Sequence, residues 1–163
     1  MRAPSLDMGP FALLPPGLIG LLYFDQRIAM QLASTENLQR LALPSDQSLA
    51  SALENTRAAL APLDGAMQPL EPGEAPGFAG GDDEASRLLF PADWAATAVR
   101  CGGHFLVCVP SAEMVLYGNG SGPAALLRVA VAAREEFDRA QRPISAIVLE
   151  WLPNGWRIAG AAP

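Results

Sequence analysis

The chain contains no lysine. All eleven of its basic residues are arginine, they never cluster, and seventeen acidic residues leave a formal charge of −6. A nucleic-acid binder needs a cationic footprint to displace counterions, and the absence of one excludes that class. An acidic surface favours solubility, or a basic partner. Histidine occurs once, at His104, and cysteine twice, at Cys101 and Cys108. So few thiols argue against a disulfide framework and fit a reducing, cytoplasmic compartment.

Long apolar runs are missing as well. The most apolar stretch, residues 11–24, falls short of the about 20 residues a spanning helix needs, and Pro15 and Pro16 break it. An export signal would want a basic start and a small-residue cleavage site. Here Asp7 lies upstream and Tyr23-Phe24-Asp25-Gln26 follows, so the stretch reads as a core strand and no membrane association is expected.

What is present is globular. Half of the 163 residues are hydrophobic and 17% are charged, enough to bury a core without staples. Residues 104–118 dominate, as two apolar strands, 104–109 and 114–118, joined by Pro110-Ser111-Ala112-Glu113. Upstream, prolines make residues 1–17 an irregular arm, and strands are expected at 18–24 and 27–32 around a turn at Asp25-Gln26. Ser34 then opens a helical turn carrying Leu38 and Leu41. Ser45 caps a longer helix to about Leu60, with Leu49, Leu53, Thr56 and Leu60 as one buried stripe.

Residues 62–84 are rich in proline, glycine and acid, and read as a mobile connecting loop within the domain. A helical or turn-rich approach follows over residues 85–99, with Trp94 anchoring it to the sheet. After the flexible turn 118–122, Pro123 starts the longest helix, to about Gln141. Its expected inner stripe is Leu126, Ala130, Ala133, Phe137 and Ala140. Arg134 with Asp138, and Glu135 with Arg139, pair at i, i+4 on the outside. Pro153-Asn154-Gly155 turns a final hairpin of 146–152 and 155–159. Strands joined mostly as hairpins imply one α+β domain over residues 1–163. Its antiparallel sheet would have about five or six strands, with two main helices packed on it. The 18–32 and 146–159 pairs would flank the central hairpin.

Several stretches in order carry a resemblance. They are Tyr23-Phe24-Asp25 closing a strand, Ala52-Leu53-Glu54-Asn55-Thr56-Arg57-Ala58 in a helix, and Ala85-Ser86-Arg87-Leu88-Leu89 with Pro91 and Trp94. A strand–Pro110–strand unit, the long helix, and Pro143-Ile144-Ser145 with Trp156 complete the set. Over residues 18–158 the chain resembles an uncharacterised bacterial family, the domain of unknown function numbered fourteen forty-four. In that family a basic–acidic pair follows the proline between the strands, whereas this chain has Ser111-Ala112-Glu113. The resemblance implies a mixed α+β fold and no particular reaction.

Cys101 and His104 form Cys-x-x-His, which suggests a thiol nucleophile with its base or half a metal site. Cys108, four residues from His104 on one strand, would be the third donor, and a tetrahedral zinc wants four. Packing thiols and a strand-end histidine are the preferred reading, and no metal or cofactor is expected. Asp82-Asp83-Glu84 lacks the spaced ligands of a calcium loop and reads as solvated. The turn at 118–122 lacks the Lys-Ser/Thr of a phosphate loop, and Pro123 removes a donor. Asn55 sits where a helix prefers Ala or Leu, which suggests that it braces a neighbouring loop. Trp151 and Trp156 are core residues by default; on an uncovered face they would mark a binding site for a protein partner.

Two functions follow. The first is a non-catalytic module acting through protein–protein contact, for instance an acidic immunity or adaptor protein. The second is a small hydrolase using Cys101 or Cys108 with His104.

Overall fold

A computed structural model describes residues 11–14, 18–25, 30–153 and 155–161. The fold is α+β, with a five-stranded antiparallel sheet as its largest element. The chain divides into two compact units, one ending at Ala59 and the other starting at Leu60.

In the first unit, β1 (Phe11–Leu13) pairs with β2 (Ile19–Leu21), and β3 (Tyr23–Asp25) with β4 (Met30–Leu32), as two separate ribbons. A strand therefore interrupts the irregular arm expected over 1–17, of which residues 1–10 and 15–17 lie outside the described residues. The single strand expected over 18–24 is broken at Leu22, whose carbonyl accepts the Ala33 amide instead (2.9 Å). Gln26 of the expected turn, and residues 27–29 of the second strand, also lie outside the described residues.

Helix α1 (Thr35–Arg40) begins where Ser34 Oγ accepts the Asn37 amide at 3.2 Å, satisfying one of the free donors of the first turn. Helix α2 (Ser45–Ala59) keeps Leu49, Leu53 and Thr56 on its more shielded side, yet none of its residues is fully buried. The expected buried stripe is only half-buried. Among the residues of this unit whose side chains are described, Ala33 and Leu38 are fully buried.

The second unit holds α3 (Leu63–Ala66), β5 (Gly77–Gly80), a 3-10 helix (Glu84–Leu89) and α4 (Pro91–Arg100). Strands β6 (Phe105–Ser111) and β7 (Met114–Asn119), helix α5 (Pro123–Arg139), and strands β8 (Ile147–Leu152) and β9 (Gly155–Ala161) follow. The sheet order is β5-β7-β6-β8-β9, every neighbour antiparallel. The central hairpin is at the centre, as expected. Its outer neighbour is not the pair at 18–32 but β5, drawn from the supposed loop.

Pro110 lies inside β6 rather than in the turn. A register shift between Cys108 and Ser111 accommodates it, since a proline cannot donate to the ladder. Its carbonyl accepts the Ile144 amide at 3.0 Å, and the Val109 carbonyl accepts that of Ser145 at 3.1 Å, so residues 143–145 extend the pairing toward β8.

Helix α5 covers one face of the sheet. Ala125, Val129, Ala130 and Ala133 pack on Leu106, Cys108, Leu116 and Val148. Glycine is required at Gly118, where a Cβ would lie 2.5 Å from Val129 Cγ2 and hold the helix off. Of the expected stripe, Ala130 and Ala133 are buried, while Leu126, Phe137 and Ala140 are half-buried. The true stripe runs one residue earlier, through Ala125 and Val129.

The opposite face is aromatic. Trp94 from α4 packs on Phe105 (ring centroids 5.9 Å apart), and Phe105 on Tyr117 (6.0 Å). Residues 62–84 are not a loop throughout, since they hold α3 and β5. Leu63 and Met67 are buried, the Gln68 amide donates to Tyr117 Oη (2.9 Å), and Asn119 Nδ2 donates to the Leu70 carbonyl (2.6 Å). Side chains of β7, remote in sequence, supply the partners that composition cannot reveal.

Candidate functional site

The two cysteines sit in different surroundings. Cys101 follows α4, its amide donating to the Thr97 carbonyl at 3.1 Å, and is buried. Burial pushes its thiol above the ordinary value, against the pull of the Leu70 backbone and the Arg100 charge. Cys108 is fully buried between β6 and α5, and its Sγ donates to the Ser145 carbonyl at 3.2 Å. Burial pushes this thiol up to about 12. Neither thiol is a ready thiolate at neutral pH.

His104 is exposed at the foot of β6, and its carbonyl accepts the Gly120 amide at 3.0 Å. Four residues of extended chain span ~13 Å. The imidazole therefore does not meet the Cys108 thiol. Among the described residues, no group of three His, Cys, Asp or Glu side chains is placed to hold a metal ion.

Trp151 and Trp156 are direct cross-strand partners on β8 and β9, edge to face with centroids 4.8 Å apart. Trp156 also meets Trp94 edge to face at 5.1 Å. Helix α4 thus covers the face on which a binding pair would have to be open. Trp151 is buried and Trp156 half-buried, so the two tryptophans belong to the core of this unit. Trp156 Nε1 is buried and, among the described residues, has no hydrogen-bond partner. Asn55 is exposed on α2 and, among the described residues, braces no loop.

The acidic triplet divides. Asp82 and Asp83 are exposed, but Glu84 is buried at the start of the 3-10 helix. Its carboxylate takes the Arg87 guanidinium in a two-pronged pair, with Nε on one oxygen and Nη2 on the other (2.9 Å). Arg87 Nη1 donates to the Ala61 carbonyl (2.7 Å), and the Arg87 carbonyl accepts Trp94 Nε1 (2.9 Å). Each nitrogen of this buried guanidinium has an acceptor, as a buried charge requires. The solvated-loop expectation fails at Glu84. The i, i+3 spacing of Glu84 and Arg87 was the available signal.

The turn expected to be free at 118–122 is tied at its start, since Gly118 and Asn119 belong to β7 and Gly120 donates to His104. The surviving feature is one the sequence pattern hid. Strand β5 is at the edge of the sheet, with Phe78 67% exposed. Phe78 lies opposite Leu116, hence on the α5 face, while Ala79 points the other way and is buried. The helix lies over β6, β7, β8 and β9. Its aromatic ring therefore stands beside the helix, not under it.

Compared with known protein families, curated proteins and solved structures, the chain matches none.

Proposed function

We propose that this protein is a non-catalytic module that acts by binding another protein. It would do so in the reducing cytoplasm of a bacterium, as a divergent relative of the family numbered fourteen forty-four. One observation carries the reading: an ordered edge strand, β5, holds a large aromatic side chain out in solvent. An unpaired edge offers backbone donors and acceptors to an incoming strand, and an exposed aromatic offers apolar area beside them. Both cysteines are free and buried, which suits a reducing compartment. No helix of the described residues is long and apolar enough to cross a membrane.

Co-expression with the products of neighbouring genes, followed by size-exclusion chromatography, tests the reading. A stable stoichiometric complex is the expected result. Absence of any complex, together with a hydrolytic activity abolished by His104→Ala, would overturn it.

A further inference from the structure

The charge of this molecule is not spread evenly. Between residues 62 and 93 there are seven carboxylates and one arginine, Arg87, a surplus of six that equals the formal net charge of −6 of the whole chain. The remaining ten acids and ten arginines balance. Strand β5 runs through the middle of this segment. Glu71 and Glu74 precede it, Asp82 and Asp83 follow it, and all four are exposed. Glu84 and Arg87 neutralise each other in the interior and add nothing to the surface. Arg142 donates to the Asp82 carbonyl, but it is paired with Glu113, so its charge is offset.

The strand is built to be reached. Its inner side pairs with β7 from Gly77 opposite Tyr117 to Gly80 opposite Met114. No described strand pairs with its outer side. A Cβ at Gly77 would lie 2.6 Å from Tyr117 Cζ, so only glycine lets the strand lie against that ring. The ring is in turn fixed by the Gln68 amide, which makes β5 a supported edge.

Resting on the protein-contact reading, we infer that the outer edge of β5 receives an extended, basic segment of a partner protein as an additional antiparallel or parallel strand. Its backbone would pair with Gly77–Gly80, an apolar side chain would cover Phe78, and flanking Arg or Lys residues would face Glu71, Glu74, Asp82 and Asp83. A second copy of this chain is the wrong occupant. Edge-to-edge pairing of two β5 strands would set Glu71, Glu74, Asp82 and Asp83 against their own copies, and like charges brought close repel. The acidic surplus also rules against nucleic acid.

The test uses the full chain, with a short peptide alternating arginine and valine as probe and its glutamate–valine counterpart as control. Amide chemical-shift mapping and hydrogen exchange are the readouts. The expected result is binding of the basic peptide alone, weakening as salt is raised, with slowed exchange within Gly77–Gly80. Phe78→Ser and the double change Asp82→Asn with Asp83→Asn alter only exposed side chains. Each should weaken binding roughly fivefold, the size of about 1 kcal/mol at a partly desolvated contact. If the basic peptide instead protects β9 or α5, or if both variants bind it like the native chain, the assignment to β5 is overturned. If a co-purified partner survives both variants, the contact function stands and only the edge assignment fails. If neither peptide binds and no partner complex forms, both fall.

Discussion

The two faces of the five-stranded sheet are covered in different ways. On one side a single helix, α5, lays alanines and valines onto Leu106, Cys108, Leu116 and Val148, and the Cys108 thiol donates to the Ser145 carbonyl. On the other, Trp94, Phe105, Tyr117, Trp151 and Trp156 are assembled from α4 and four strands. Polar links to distant backbone lock that assembly, from Trp94 to Arg87, from Arg87 to Glu84 and Ala61, and from Tyr117 to Gln68. A regular helix on a sheet works by close approach of small side chains. A cover made of short irregular pieces needs large rings for area and hydrogen bonds for position, because each piece alone buries too little to be held.

The sharpest way to break this contrast is Trp94→Ala. It removes a fully buried ring, two aromatic contacts and a donor, and should cost about 4 kcal/mol in chemical denaturation. A cost as small as that of a surface substitution would show that the aromatic face is not a locked cover. Next comes Glu84→Ala, which strands a buried guanidinium and should cost about 3 kcal/mol. Replacing Glu84 and Arg87 together by leucine and methionine should recover much of that loss, and a double-mutant cycle measures it.

On the helical face, Gly118→Ala forces a methyl against Val129 and should cost about 2 kcal/mol by overpacking. Adding Val129→Ala should relieve part of it, and strict additivity of the two changes would refute the close approach. Tyr117→Phe removes only the hydroxyl that accepts the Gln68 amide, for a loss of about 1 kcal/mol. Hydrogen exchange at Gln68 should rise with it.

The smallest effect is expected at the thiols. Cys108 in the folded chain should resist a thiol reagent at neutral pH and react at the rate of unfolding. Its folded pKa is raised from 9.0 to about 12, so the neutral thiol's contribution is intact below 9.0 and is lost as pH rises toward 12. Labelling of native Cys108 at neutral pH, fast compared with unfolding, would contradict its burial under α5.

What could be read directly from the chain was whatever depends on near neighbours. The hairpin of β6 and β7, the Pro123 start of α5, its Arg134–Asp138 pair (2.9 Å) and the Ser34 cap all rest on contacts within a few residues, while Asn154 of the expected Pro153-Asn154-Gly155 turn lies outside the described residues. Composition marked the acidic, proline- and glycine-rich stretch as a connecting loop. It misjudged what that stretch does, because β5 has only four residues and two of them are glycine. So short a strand carries no periodicity to detect.

Its existence is decided by β7, which lies more than thirty positions away and presents Tyr117, Asn119 and a free ladder edge. The same limit hid the candidate site. Local pattern marked Cys101, His104 and Cys108 as a possible cluster, but packing buried both thiols and left the imidazole in solvent. Residue identity determined which side chains could carry charge, ring or thiol. Only the tertiary structure decided which of them face water, since burial is set by what arrives from far along the chain.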